Sequence, residues 1–318
     1  RPARPRWYRY LGLGVIGLCN PFARKHAVNQ CLNEVSPIRE ILLRHPRDAF
    51  VSQSVLNRTW RTLNYLAEPD FARACAEYDG FVRVLESQGM EVQFLPGDPR
   101  LNPDALYVRD TAILTPRGLC LAAMGKAQRA PETAVLAEQT AMLDWSPCGG
   151  IDSPGRLEGG DLVWLDAKRV LVAHGYRTNA EGIRQLQNLV GSEVTVRQVP
   201  LPHFRGPNDV LHLMSMISPV DHDLAVVYSP LMPVPFRNWL LEQGMTLVEV
   251  PASEYDSLGC NVLALAPRRC VMVEGNPETR NALERAGAEV IEIKGSEICL
   301  KGSGGPTCLT RPLLRGPR

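Results

Sequence analysis

The chain has 318 residues, 45% hydrophobic and 22% charged, enough for one large buried core or two smaller ones. A net charge of +1 excludes the basic excess of a nucleic-acid binder, and no apolar run reaches the roughly 20 residues that span a bilayer. Nine cysteines, odd in number, scattered and without a C-x-x-C, argue against a disulfide framework and a structural zinc site and fit a reducing cytoplasm.

The N-terminal "RPARPRWYRY" precedes "LGLGVIGLC", which has the look of a signal-peptide core but no small-residue cleavage site and no initiating Met. Residues 1–33 are therefore read as a leader, poorly ordered or non-native. After a first predicted strand, "REILLRHP", one design recurs. A helical stretch stops at Gly and a short β-branched strand follows, as in "RVLESQGMEVQFLP" (83–96). The strand "AILTPRG" leads to the helical run 131–145, which has no clean glycine cap. "DLVWLDAKRVLVA" predicts a hairpin with D-A-K at its tip, and "QLQNLVGSEVTVRQVP" (185–200) repeats the helix–Gly–strand design. "DLAVVYSP" and "WLLEQGMTLVEVP" (239–251) give another unit; the hairpin "NVLALAPRRCVMV" and "ALERAGAEVIEI" (282–293) give the last. The capping glycines fall at 89, 191, 244 and 287. Each unit reads β-β-α-β. The fold class is α/β, and the simplest closed arrangement is a ring of five blades with helices outside and a central channel. Two ordinary α/β domains are the alternative.

Four stretches carry candidate chemistry. "NPDALYVRDTAIL" sets Asp110 in an apolar strand pattern, with Arg109 expected on the opposite face. "PGRLEGGDLVWLD" places Glu158 and Asp161 at the mouth of a hydrophobic hairpin, where a carboxylate is costly unless paired; a solvated turn is the alternative. His212, in "NDVLHLMSMIS", is read as part of an apolar strand among Leu, Met and Ile, where a lone His is more often a satisfied core residue than a catalyst. Cys308 sits in "GSGGPTCLTRPLLR", a glycine-rich turn better suited to a thiol on a pocket wall than to a packing cysteine. Two buried carboxylates would oppose an oxyanion, so a thiol and imidazole beside them suit a cationic electrophile. A guanidinium, charged up to a pKa of about 12.5, is the natural one.

Together these stretches resemble the motif set of the guanidine-modifying superfamily, which comprises dimethylargininases, arginine deiminases and amidinotransferases. "EVSPIREILLRHP" is similar to its first strand and "GGPTCLTRPL" to its nucleophile segment, so the likeness runs from about Glu34 to Leu314. The resemblance implies a five-bladed α/β propeller of ββαβ repeats with pseudo-fivefold symmetry, formed by residues 34–318 as one catalytic domain. It implies Cys308 as nucleophile, His212 as general acid and base, Asp110 as guanidinium anchor, and Glu158 as a residue that binds guanidinium nitrogen and orients His212. Arg177, in "HGYRTNAEG", and Arg129, in "GKAQRAPE", would grip an α-carboxylate, and Asp104 would face the α-amino end. No metal or organic cofactor is called for. The only partner implied is a small guanidino compound, with a homodimer admitted as assembly.

The sequence departs from the family at three places. Met214 stands where arginine deiminases and amidinotransferases have the aspartate of an H-x-D pair, which favours a methylated arginine over those two branches. Arg109 replaces a glutamate common in dimethylargininases, and residues 50–70, where a lid would lie, match nothing. The expected reaction is hydrolysis of an Nω-methylarginine-like substrate through a covalent thiouronium, giving citrulline and an amine. Amidino transfer, arginine deimination and a non-catalytic binding module are the alternatives.

Overall fold

The computed structural model describes residues 31–317, whose strands fall into five small sheets. β1 (Ile38–Leu43) leads through α1 (Phe71–Ser87) to β2 (Glu91–Phe94), which lies parallel to it. β3 (Ala112–Thr115) and β4 (Gly118–Leu121) pair antiparallel; α2 (Glu132–Ala141) then returns to a single parallel bridge between Gly150 and Leu121. The third unit is the hairpin β5 (Leu162–Asp166)–β6 (Arg169–His174), then α3 (Ala180–Val190) and β7 (Thr195–Pro200). The fourth is β8 (Ile217–Asp221)–β9 (Leu224–Val227), α4 (Val234–Glu242) and β10 (Thr246–Glu249). The fifth is β11 (Leu263–Ala266)–β12 (Arg269–Val273), α5 (Pro277–Arg285) and β13 (Glu289–Ile293). β14 (Arg311–Arg315) pairs antiparallel with β1, so the last strand completes the first unit.

Burial explains why each unit has this order. The middle strands are apolar on both faces, as in β9, where all four residues are buried. The returning strands alternate, with Glu, Thr or Gln exposed, which blunts the free edge of each sheet. Every helix sets its apolar stripe on its own unit: Tyr78, Phe81 and Leu85 of α1 on Ile41 and Leu43, Leu136 of α2 on Ala112 and Leu119, and Leu186 of α3 on Val170 and Val172. Leu240 of α4 likewise covers Ala225 and Val227, and Leu283 of α5 covers Cys270 and Met272. Each such side chain contributes about 1.5–3 kcal/mol by leaving water. Asp70 and Asn179 cap α1 and α3 by accepting from Arg73 N and Gly182 N. Among the described residues no helix is long and apolar enough to cross a membrane.

Three expectations need correction. Asp110 does not lie in a strand: residues 103–113 are buried throughout, and the chain there winds into two 3-10 turns, Pro103–Leu106 and Val108–Thr111, ahead of β3. Burial on every side erased the alternation that would have betrayed the turns. His212 likewise opens the 3-10 turn Leu213–Ser215 instead of sitting within a strand. The folded region also starts before residue 34, because Cys31 N donates to Arg315 O at 3.0 Å and Leu32 is buried. Residues 1–30 lie outside the described residues.

The four glycines foreseen as helix caps all have positive φ, between 74° and 86°. At Gly244 a Cβ would meet nothing within 4 Å, so its requirement is purely conformational. Gly244→Ala is expected to lower unfolding free energy by about 1–2 kcal/mol with an unchanged denaturant slope, measured by urea titration.

Candidate active site

Each unit ends its approach to the first strand of its hairpin with one polar side chain. Asp110, Glu158, His212, Asn261 and Cys308 lie two to five residues ahead of β3, β5, β8, β11 and β14 respectively. Short turns at these points let the side chains leave the strand direction and converge. Cys308, His212 and Asp110 wall one cavity of about 100 Å³, together with Asp104, Arg129 and Arg177. Glu158 is fully buried behind His212 and does not line it.

Glu158 Oε2 lies 2.7 Å from His212 Nε2, and its Oε1 accepts from Gly125 N at 2.8 Å and Lys126 N at 3.2 Å. Burial alone would raise this carboxyl, but the His212 bond and the charges of His212 and Arg177 hold it well below the usual carboxylate range. His212 responds in the opposite sense. Burial would lower it, yet Asp110, Asp161 and Glu158 carry it up to about 9, so the imidazole is cationic at neutral pH. Its Nδ1 stands 3.7 Å from Asp110 Oδ1. The close packing needs a glycine: a Cβ on Gly160 would come within 2.5 Å of His212 Nδ1. Asp161, driven up to about 6 by burial, anchors the next turn by accepting from Leu213 N and Thr178 Oγ1.

Asp110 accepts from Gly160 N at 3.1 Å and from Arg129 Nη1 at 2.5 Å. The remaining donors of Arg129 go largely to Glu132, at 2.8 Å through both Nε and Nη2, and to Tyr107 O. Arg129, expected to grip a carboxylate, lines the cavity and donates to the buried acids Asp110 and Glu132. Arg177 bonds Glu158 through Nη1 alone, at 3.3 and 3.5 Å, and lines the cavity. Asp104 is paired with Lys126 Nζ at 2.7 Å, and that ammonium also donates to Leu63 O.

The thiol of Cys308 is raised above its ordinary pKa by burial and then by Asp110, and is therefore protonated in the free protein at neutral pH. Asn261 Nδ2 donates to Sγ at 3.3 Å and, with Thr307 and Arg109, pulls in the other direction. Asn261 Oδ1 accepts from Thr307 N and Oγ1, so one amide fixes both the turn and the sulfur. The glycines beside Cys308 serve this contact: a Cβ on Gly305 would lie 2.5 Å from Asn261 Oδ1. Asn261 holds the same place in its unit as Asp110 and Glu158 in theirs, just ahead of the hairpin, and that equivalence is the signal by which the sequence could have shown it. Arg109 was also missed; its Nε donates to Thr307 O at 2.9 Å and its own N to Cys308 O at 3.2 Å, bracing the Cys308 turn from behind.

A second, larger chamber of about 270 Å³ shares the Cys308–His212 wall and is lined by Phe204, Met214, Tyr255 and Leu258. The first chamber is charged and the second mostly apolar. Residues 50–70 supply the helix Gln53–Thr59 and then Leu63, Asn64 and Leu66, which wall the charged chamber. Asp110, Glu158 and His212 are the one group among the described residues whose ligand atoms, within 4.8 Å of one another, could reach a metal ion. Arg129, main-chain N–H groups and the Glu158–His212 bond already use their lone pairs, so the donor set suits an organic cation better than a metal.

The Glu158–His212 bond yields a titration prediction. Protonated His212 stabilises the fold fully below about 6.5, its ordinary value, and that contribution is lost as pH rises through about 9. In an NMR titration the His212 ring should show its midpoint near 9, and Glu158→Gln should lower it by about one unit or more.

The model of the family described as N,N dimethylarginine dimethylhydrolase, eukaryotic, matches residues 50–315. The chain is 27% identical over 255 residues to the N(G),N(G)-dimethylarginine dimethylaminohydrolase of Pseudomonas aeruginosa, covering 78% of this chain and 92% of that protein. Its fold matches a solved structure of DDAH from Pseudomonas aeruginosa, a cysteine-to-serine mutant complexed with citrulline, with a TM-score of 0.70 and 26% identity over 88% of this chain and 99% of that one. An amidinotransferase from Microseira wollei matches with a TM-score of 0.74 but 15% identity, over 91% of this chain and 98% of that one, a likeness of fold alone. With nearly all of its described length matched by that family model, the chain belongs to the N,N dimethylarginine dimethylhydrolase family.

Proposed function

We propose that this protein is a cysteine-dependent hydrolase that attacks the guanidinium carbon of an Nω-methylated arginine and releases citrulline and a methylated amine. The observation that carries the reading is the meeting of Cys308, His212 and Asp110 in the charged chamber, whose Cys308–His212 wall is shared by a mostly apolar one. The amino-acid end belongs in the charged chamber, its carboxylate on Arg177 and its ammonium on Asp104. Asp110 anchors the guanidinium. The methylated nitrogen points to the apolar chamber, where Met214 offers no charge to repel or bind it.

Binding delivers a fixed positive charge beside a neutral thiol and a carboxylate. The cation lowers the thiol pKa, and the proton leaves to solvent. Sγ then bonds to the guanidinium carbon, forming a neutral tetrahedral adduct. His212, cationic and held by Glu158, gives a proton to the methylated nitrogen, the C–N bond breaks, and the amine departs. The remaining thiouronium is attacked by water that neutral His212 deprotonates; the C–S bond breaks, leaving citrulline and the thiol. Glu158 acts here by orienting and charging His212.

The finer architecture belongs to the same reading. Five ββαβ units, the β14–β1 pairing and one site residue per unit support a five-bladed propeller with pseudo-fivefold symmetry, formed as one catalytic domain. Free cysteines, among them Cys120 and Cys148 with sulfurs 3.4 Å apart, support a reducing cytoplasm.

The test is a product panel with arginine, monomethylarginine, asymmetric dimethylarginine and agmatine. Citrulline is expected from the methylated arginines, and Cys308→Ser should cut kcat at least about 1,000-fold. Arg177→Ala should act mainly on KM, about 10-fold or more. Ornithine with a new guanidine in place of citrulline would show amidino transfer. Full function in Cys308→Ser would leave only a binding module.

A further inference from the structure

Behind the nucleophile turn lies a cluster that the catalytic reading does not use. Arg109, Arg311 and Arg315 are 1%, 5% and 4% exposed, and among the described residues the one acid that lines their cavity is Glu34. Glu34 Oε2 is 3.4 Å from Arg109 Nη1 and 4.0 Å from Arg315 Nη2, neither a tight pair. Main-chain carbonyls take the other contacts: Thr307 O from Arg109, Arg109 O from Arg311, and Ser36 O and Ala264 O from Arg315. One buried nitrogen on each arginine remains without a hydrogen-bond partner: Arg109 Nη2, Arg311 Nε and Arg315 Nη2.

The charge is not balanced either. Guanidinium does not give up its proton in a protein, so three arginines against one glutamate leave two positive charges in excess in the interior. Asp110, the next acid that Arg311 feels, is committed to Arg129 and Gly160 N. Burial and then mutual repulsion with Arg109 depress Arg311 to about 9; burial is also the largest influence lowering Arg315 to about 10. All three arginines and Glu34 wall one cavity of about 20 Å³, lined also by Leu114 and Trp164. A water needs roughly 10–15 Å³, so the space suits one particle of about that size. A water would satisfy the N–H groups but not the charge.

We infer that the space between Arg109, Arg311 and Arg315 is a binding site for one monatomic anion of chloride size. The anion joins the braces of two elements. Arg109 holds the turn that carries Cys308, and Arg311 and Arg315 belong to β14, the strand that completes the first sheet. Halide is therefore a structural ligand of this protein, and the inference does not rest on the proposed reaction.

The experiment compares thermal unfolding of the full chain in chloride, bromide and gluconate at equal ionic strength, and adds a crystal grown in bromide. Chloride and bromide should raise Tm by several degrees in a saturable way, gluconate should not, and an anomalous bromide peak should lie on the three arginines. Glu34→Gln removes the competing carboxylate and should lower the half-saturating halide concentration about threefold or more. Arg315→Met should raise it about tenfold; should that variant fail to fold, Glu34→Gln and the bromide peak still decide. Equal responses to chloride and gluconate, with no anomalous peak at the cluster, would overturn the inference.

Discussion

Asp110 and Glu158 are carboxylates held where water cannot solvate them, and the arrangement of the site follows from keeping both charged. A buried ion costs several kcal/mol unless partners replace its hydration shell. Glu158 receives two main-chain N–H groups and the His212 ring; Asp110 receives Arg129 and Gly160 N. Arg129 is in turn held by Glu132, so the charges form a chain of pairs that ends at the cavity. The same acids help charge His212, whereas burial and then Asp110 keep Cys308 neutral, so in the proposed reaction the acid stands ready before substrate arrives and the thiol is held back.

Placing such groups demands a scaffold in which different chain segments meet at one point. The ββαβ units meet that demand by ending in short turns just ahead of each hairpin. Close approach matters more here than flexibility. Gly160 lets the His212 ring rest on main chain and Gly305 lets Asn261 reach the sulfur, and neither glycine needs a positive φ to do so. The glycine-rich turn around Cys308 is thus built for packing against its own neighbours.

Hairpins, helix caps and the unit order could be read from the chain because they depend on local periodicity and on residues such as Gly191 and Gly287. Asp110 and His212 stood out as ionisable groups amid apolar residues, Glu158 as an acid at the mouth of a hydrophobic hairpin, and Cys308 as a thiol in a glycine-rich turn. What could not be read was long-range partnership. Arg109 and Thr307 lie 198 positions apart, and nothing local predicts that one braces the other. Lys126 and Glu132 sit on ordinary-looking polar stretches, and their roles appear only when Asp104 and Arg129 fold against them. Asp110 and His212 were assigned to strands because a buried 3-10 turn shows the same apolar run as a buried strand.

The central claim, that a guanidinium held by Asp110 activates Cys308, is tested most directly by the pH dependence of Cys308 alkylation, followed by peptide mass spectrometry with and without methylguanidinium. The account predicts a midpoint above the ordinary thiol value of about 8.5 in the free protein and a fall of about one unit or more at saturating cation. A midpoint that stays in place or moves upward when the cation binds would contradict it.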